Sequence, residues 1–273
     1  MRIEDRSERP ADEGPRPALA AARARLGLLV ALLLIAAVGW WWSAEQMRGM
    51  DSGPWTALGG FAWFVVLWVV MMAAMMFPSV APTVALYARM TRVRTPLAPS
   101  AFTLGYLLTW TVAGAVAWSL GAAITRLGGD VLAWDQAGRA VTGAAIVFAG
   151  IYELTPLKNA CLTRCRSPLG FLLGSWRDGS AGGLRMGVSL GAWCLGCCWA
   201  LMLALFALGV MSVVWMAFIA VVIAVEKTAP WRSLVTYGTA ALLVVLGVLV
   251  LVAPTAVPGL TIPATQDTPM TVM

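Results

Sequence analysis

The chain has 273 residues, 60% of them hydrophobic and 12% charged, with a mean hydropathy of +0.81. A water-facing globule carries roughly 25% charged residues, so this composition excludes a soluble cytosolic enzyme, a disulfide-stapled secreted domain and a disordered chain. The net charge is +6, histidine is absent, and five cysteines and fourteen methionines are present, so imidazole is removed from any site and sulfur is favoured.

Residues 1–25 mix Arg, Glu, Asp and Pro and read as a disordered cytoplasmic tail, too acidic for the start of a signal peptide. Beyond them the charges fall in short clusters between long neutral runs, and a spanning helix needs ~20 mostly apolar residues. The pattern predicts helices over 26–44, 59–77, 101–124, 138–154, 186–208, 212–228 and 235–253. The neutral run 186–225 is long enough for two of them, broken near Gly209-Val210-Met211-Ser212. The fourth has the shortest neutral core, which leaves six spans as the alternative. Residues 254–273, rich in Pro and Thr, read as a disordered outer tail. The expected fold is therefore all-α, a polytopic transmembrane bundle of about seven spans over residues 26–253.

Basic residues orient it. With the N-terminus in the cytoplasm, the inner segments hold sixteen Lys and Arg and the outer segments only Arg48, Arg126 and Arg139. A bias that alternates at every loop is the positive-inside pattern, and inner arginines suit anionic lipid. The basic clusters lack interleaved aromatics, so no nucleic-acid partner is expected. Trp40, Trp41, Trp42 and Trp55 fall near outer helix ends and Trp176 and Trp231 near inner ones, as interfacial anchors do.

Cys194, Cys197 and Cys198 stand at i, i+3 and i+4 of the fifth predicted helix and share a face. Gly183, Gly187 and Gly191 form a small-residue row that lets another helix approach, so this face is expected to point into the bundle, with Met202 extending it. Met71, Met72, Met75 and Met76 lie near the inner end of the second helix, before Pro78. Cys161 and Cys165 lie in the large inner loop. The topology thus brings all three sulfur groups into the inner half of the membrane. The ionisable residues nearest the bilayer core are Glu153 and the pair Glu226-Lys227, at inner helix ends, read either as snorkelling groups or as an ion pair at the point of metal uptake.

Thiolates and thioethers without imidazole or midplane carboxylate select soft ions, above all Cu(I). Zn(II) suits the set less well, since cysteine-only zinc sites take four thiolates. The cysteine spacings match no standard iron–sulfur pattern. The candidate ligands are Cys194, Cys197 and Cys198 at the core, Cys161 and Cys165 as a cytoplasmic intake pair, and Met72, Met75, Met76 and Met202 as softer ligands or a transfer path. Two other functions fit the same residues. One is a thiol–disulfide electron conduit from Cys161/Cys165 to the intramembrane cysteines; the other is a structural membrane subunit in which sulfur only packs. Catalytic motifs are absent, so an enzyme is not favoured.

The segments MMAAMMFPSVAP, GIYELTPLKNACLTRCRSPLGFL, CLGCCWALM and LGVMSVVWMAFIAVVIAVEKTAPW together resemble a bacterial family of predicted metal-binding integral membrane proteins, over about residues 60–250. The resemblance implies a helical protein of the bacterial inner membrane with a metal site, and a metallochaperone or membrane protein as partner. By position it singles out Met72, Met75, Met76, Pro78, Pro156, Lys158, Cys161, Cys165, Cys194, Cys197, Cys198, Met202, Glu226 and Lys227. Related sequences carry histidine near Arg164 and Leu190; this chain has none, so either sulfur suffices for its site or metal binding has weakened in this member.

Overall fold

A computed structural model describes residues 16–48, 59–91, 97–128, 137–209 and 212–257. Of the expected tails, 1–25 and 254–273, residues 16–25 belong to the first helix and Pro254–Ala256 form a 3-10 turn, while residues 1–15 and 258–273, like Trp55, lie outside the described residues. Within them the chain is all-helical: α1 (Arg16–Met47), α2 (Phe61–Thr91), α3 (Ala98–Gly128), α4 (Arg139–Glu153), α5 (Pro156–Arg166), α6 (Pro168–Gly174), α7 (Gly179–Gly209), α8 (Val213–Thr228) and α9 (Arg232–Val252), with a 3-10 turn at Pro254–Ala256.

Each of the seven predicted helices is present, and three of them, α1, α2 and α7, begin or end well beyond their predicted bounds. Charge marks where an apolar run stops, whereas the backbone stays helical as long as its hydrogen bonds continue. Thus α1 starts at Arg16 and α7 at Gly179. Helix α2 was expected to stop before Pro78 but continues through both Pro78 and Pro82. Helices packed in an apolar bundle tolerate such interruptions.

Five of the described helices are long and apolar enough to cross a membrane: α1 from Leu29, α2, α3, α7 and α9 from Ser233. Helices α4 and α5 together would make a sixth, bent by 66°. Helix α8, at 16 residues, falls short by length. The inner loop expected between the fourth and fifth helices is itself folded. Thr155 accepts a hydrogen bond from Lys158 N and Pro156 occupies the first turn, so α5 starts there with its N-terminus capped.

Helices α2 and α7 are the buried elements, and α7 touches α3, α4, α5 and α8. The glycine row of α7 faces α3. A Cβ on Gly183 would stand 2.7 Å from Ala98 O, one on Gly187 would collide with Phe102 O, and one on Gly191 would lie 3.2 Å from Tyr106 O. These carbonyls recur every four residues along α3, so the two backbones lie against each other over more than two turns. The opposite face of α3 leaves Leu104, Leu108, Val112, Val116 and Leu120 exposed. An exposed apolar stripe of that length is not a water-facing surface.

Candidate metal centre

The α3/α7 contact and the docking of α5 on α7 build the site. On α7, Cys194, Cys197 and Cys198 are all buried, and the Cys197 thiol donates to Cys194 O at 3.1 Å. On α5, Lys158, Cys161 and Cys165 fall at i, i+3 and i+7, on one face. Gly196 lets that face close onto α7: Cys161 Sγ sits 2.8 Å from where a Gly196 Cβ would be. Cys165 Sγ consequently reaches 3.9 Å from Cys197 Sγ.

The sulfurs of Cys165, Cys194 and Cys197 lie within 4.8 Å of one another, and Cys198 Sγ is 3.3 Å from Cys197 Sγ. All five cysteines are free thiols. With metal–sulfur bonds of about 2.3 Å, two thiolates across a metal stand about 4.6 Å apart and three around it about 4 Å. The trio therefore has the dimensions of a two- or three-coordinate soft-metal site. Cys165 from the loop pair joins the cysteines of α7, whereas Cys161 lies beside them against Gly196.

Around the sulfurs stand groups that balance their charge. Lys227 Nζ lies 3.2 Å from Cys194 Sγ, 3.2 Å from Ser79 Oγ and 3.8 Å from Met76 Sδ. The Tyr106 hydroxyl, placed by the glycine row, is 3.1 Å from Cys194 Sγ. An ammonium and a phenol directed at one sulfur hold its orientation. Of the predicted methionines, Met76 is tied to the site through Lys227. Met72, Met75 and Met202 are buried in the surrounding core.

Glu226 and Lys227 do not pair with each other. Consecutive helical residues point about 100° apart, and while Lys227 faces the sulfurs, Glu226 accepts from Lys158 Nζ at 2.8 and 2.9 Å. Lys158 also donates to Glu153 Oε2. Glu153, Lys158 and Glu226 are all buried, so none of them snorkels to a surface. Arg166 donates to Ala229 O, tying α5 to the end of α8, and the Arg164 guanidinium lies 4.9 Å from the Trp193 ring centre.

Sequence reading missed Tyr106 and Ser79, and the inward position of Lys158. The signal for Lys158 was present in Thr155-Pro156, which starts a helix and thereby sets Lys158 on the face of Cys161 and Cys165. Tyr106 and Ser79 carry no local mark, because only the packing of α2 and α3 on α7 gives them a role.

An all-helical chain with several membrane-length apolar helices and a buried cluster of free thiols belongs to the class of helical proteins with a site that could hold a soft metal ion. Sequence comparison adds the family: the chain belongs to the one described as a copper chaperone (PpoB2), whose family model matches residues 65–250. No curated protein and no solved structure matches the chain.

Proposed function

We propose that this protein is a seven-span inner-membrane protein that binds Cu(I) through Cys194, Cys197 and Cys165 and passes it to a partner. The observation that carries this reading is the convergence of three thiols from two helices within 4.8 Å, in a chain of the copper chaperone family. Buried sulfur without imidazole favours the monovalent ion over Zn(II). Cys198 supplies a fourth thiol for exchange, and Met76, Met72, Met75 and Met202 offer weaker thioether ligands on the way out. Cys161, buried beside the trio, serves as the preceding station on α5. A chaperone must release its ion as well as bind it, and a site of two or three thiolates with neighbouring spare sulfurs permits transfer by stepwise ligand exchange.

The proposed topology rests on the alternation of basic residues, sixteen on the N-terminal side and three on the other. In it, α4 and α8 are short spans, and both end at the level of the buried ionic and sulfur groups. Copper content decides the metal reading. The purified full-length protein, loaded with Cu(I) and freed of excess by a competing chelator, should hold copper stoichiometrically. The Cys194→Ser/Cys197→Ser variant should lose it, and Cys161→Ser should keep it. Copper retained by the double variant would overturn the assignment.

A second reading draws on the 3.9 Å separation of Cys165 and Cys197, a distance from which thiols can be oxidised to a disulfide and take part in exchange. Alkylation trapping separates the two: thiols protected by copper support the metal site, and a disulfide that responds to reductant supports the conduit.

A further inference from the structure

The buried charges beside the sulfur site carry chemistry that copper binding does not use. Glu153 ends α4, Lys158 lies in the first turn of α5 and Glu226 in the last turn of α8, with relative exposures of 1%, 0% and 2%. Lys158 Nζ donates to Glu153 Oε2 and to both oxygens of Glu226, which engages all three of its N–H bonds. Glu153 Oε1 is buried and has no hydrogen-bond partner.

Among the described side chains, these two carboxylates and one ammonium leave one negative charge in excess in an apolar interior, a strongly unfavourable state. Other polar side chains described on the helices packed here have partners of their own or are exposed. Lys227 of α8 meets Cys194, Arg166 of α5 meets Ala229 O, and Arg164 lies over Trp193. Tyr152 of α4 donates to Gly196 O at 2.6 Å, Cys161 packs on Gly196 of α7, and Tyr237 of α9 is exposed. One proton taken by a Glu153 carboxylate, giving the neutral acid, restores balance: the acid then stands beside a Lys158–Glu226 ion pair.

The two centres are also built from the same helices. Helix α5 carries Lys158 for the ionic group and Cys165 for the sulfurs, on one face. Helix α8 carries Glu226 for the first and Lys227 for the second, one residue apart.

We propose that Glu153, Lys158 and Glu226 form a buried proton-binding site, in which one carboxyl holds a proton as the neutral acid beside the ion pair that Lys158 makes with the other. Infrared difference spectroscopy of the full-length protein in detergent tests it. The wild type should show the carbonyl band of a buried carboxylic acid, shifted in D2O. Either Glu153→Gln or Glu226→Gln removes the excess negative charge, so the band should be lost in both variants. Absence of the band in wild type, or its survival in both variants, overturns the proton site. Where neither variant folds, the wild-type band decides: titrating away on alkalinisation supports the site, and invariance overturns it.

Discussion

Lys227 and Lys158 illustrate how differently the same residue type can be used within one bundle. Lys227, half-buried, gives its ammonium to Cys194 Sγ and Ser79 Oγ. Two thiolates holding one Cu(I) carry a net negative charge, which this cation neutralises. Removing it while keeping the polar reach, as in Lys227→Gln, should weaken Cu(I) binding by about 10–100-fold, the cost of losing a group that orients and charge-balances a ligand. Competition with a chelator measures this, and an unchanged affinity would show that the ammonium does not support the site. Lys158 instead holds two buried carboxylates. Its removal in Lys158→Met strands both, and breaking a buried ion pair on one side costs about 3–5 kcal/mol. The variant should unfold at distinctly lower temperature than wild type, whether or not copper is present; equal melting temperatures would refute a structural role. The charge pattern located Lys227 at an inner helix end and left Lys158 in the inner loop, marked only by the family resemblance. It could not separate their roles, because the 100° step between Glu226 and Lys227 matters only once α2, α5 and α7 surround α8.

At the scale of the helices, the α3/α7 contact ties stability to the site. Gly187 has Phe102 O where its Cβ would stand, so Gly187→Ala must push the helices apart, an overpacking cost of about 1–3 kcal/mol. Moving α3 also carries Tyr106 away from Cys194. The variant is therefore expected to lose both thermal stability and copper affinity, whereas Gly27→Ala, whose Cβ would meet nothing within 4 Å, should change neither. A Gly187→Ala protein that melts and binds like wild type would mean that the close approach is dispensable. The glycine spacing made a helix partner legible in the sequence; that the partner is α3 was not, since a small-residue row accepts any backbone that can lie along it. The inner loop was the reverse case. Its polar composition hid two short helices, yet the Thr155-Pro156 start of α5 was visible and sufficed to bring Lys158, Cys161 and Cys165 onto one face.

For the whole molecule, the number of spans fixes the relation between the two ends of the chain. Seven crossings place the N- and C-termini on opposite sides of the membrane, and six place them on the same side. Reporter fusions in bacteria should therefore report a cytoplasmic N-terminus and an external C-terminus; matching sidedness at the two ends would exclude seven spans. The exposed stripe Leu104, Leu108, Val112, Val116 and Leu120 of α3 and the buried faces of α2 and α7 fit a bundle whose solvent outside is lipid, with its polar groups turned inward around the sulfur and ionic centres.

By itself the sequence determined that this is a helical, apolar chain with its basic residues on alternate loops and its site chemistry limited to sulfur. These properties follow from composition and from local periodicity, which need no knowledge of neighbours. Tertiary structure decided which thiols meet: Cys165 joins Cys194 and Cys197 while Cys161 stands aside, Lys227 serves the sulfurs, and Lys158 with Glu153 and Glu226 forms a separate buried group. Distances between residues far apart in the chain depend on how closely helix backbones approach, and here Gly187 and Gly196 set that approach by leaving room where any side chain would intrude.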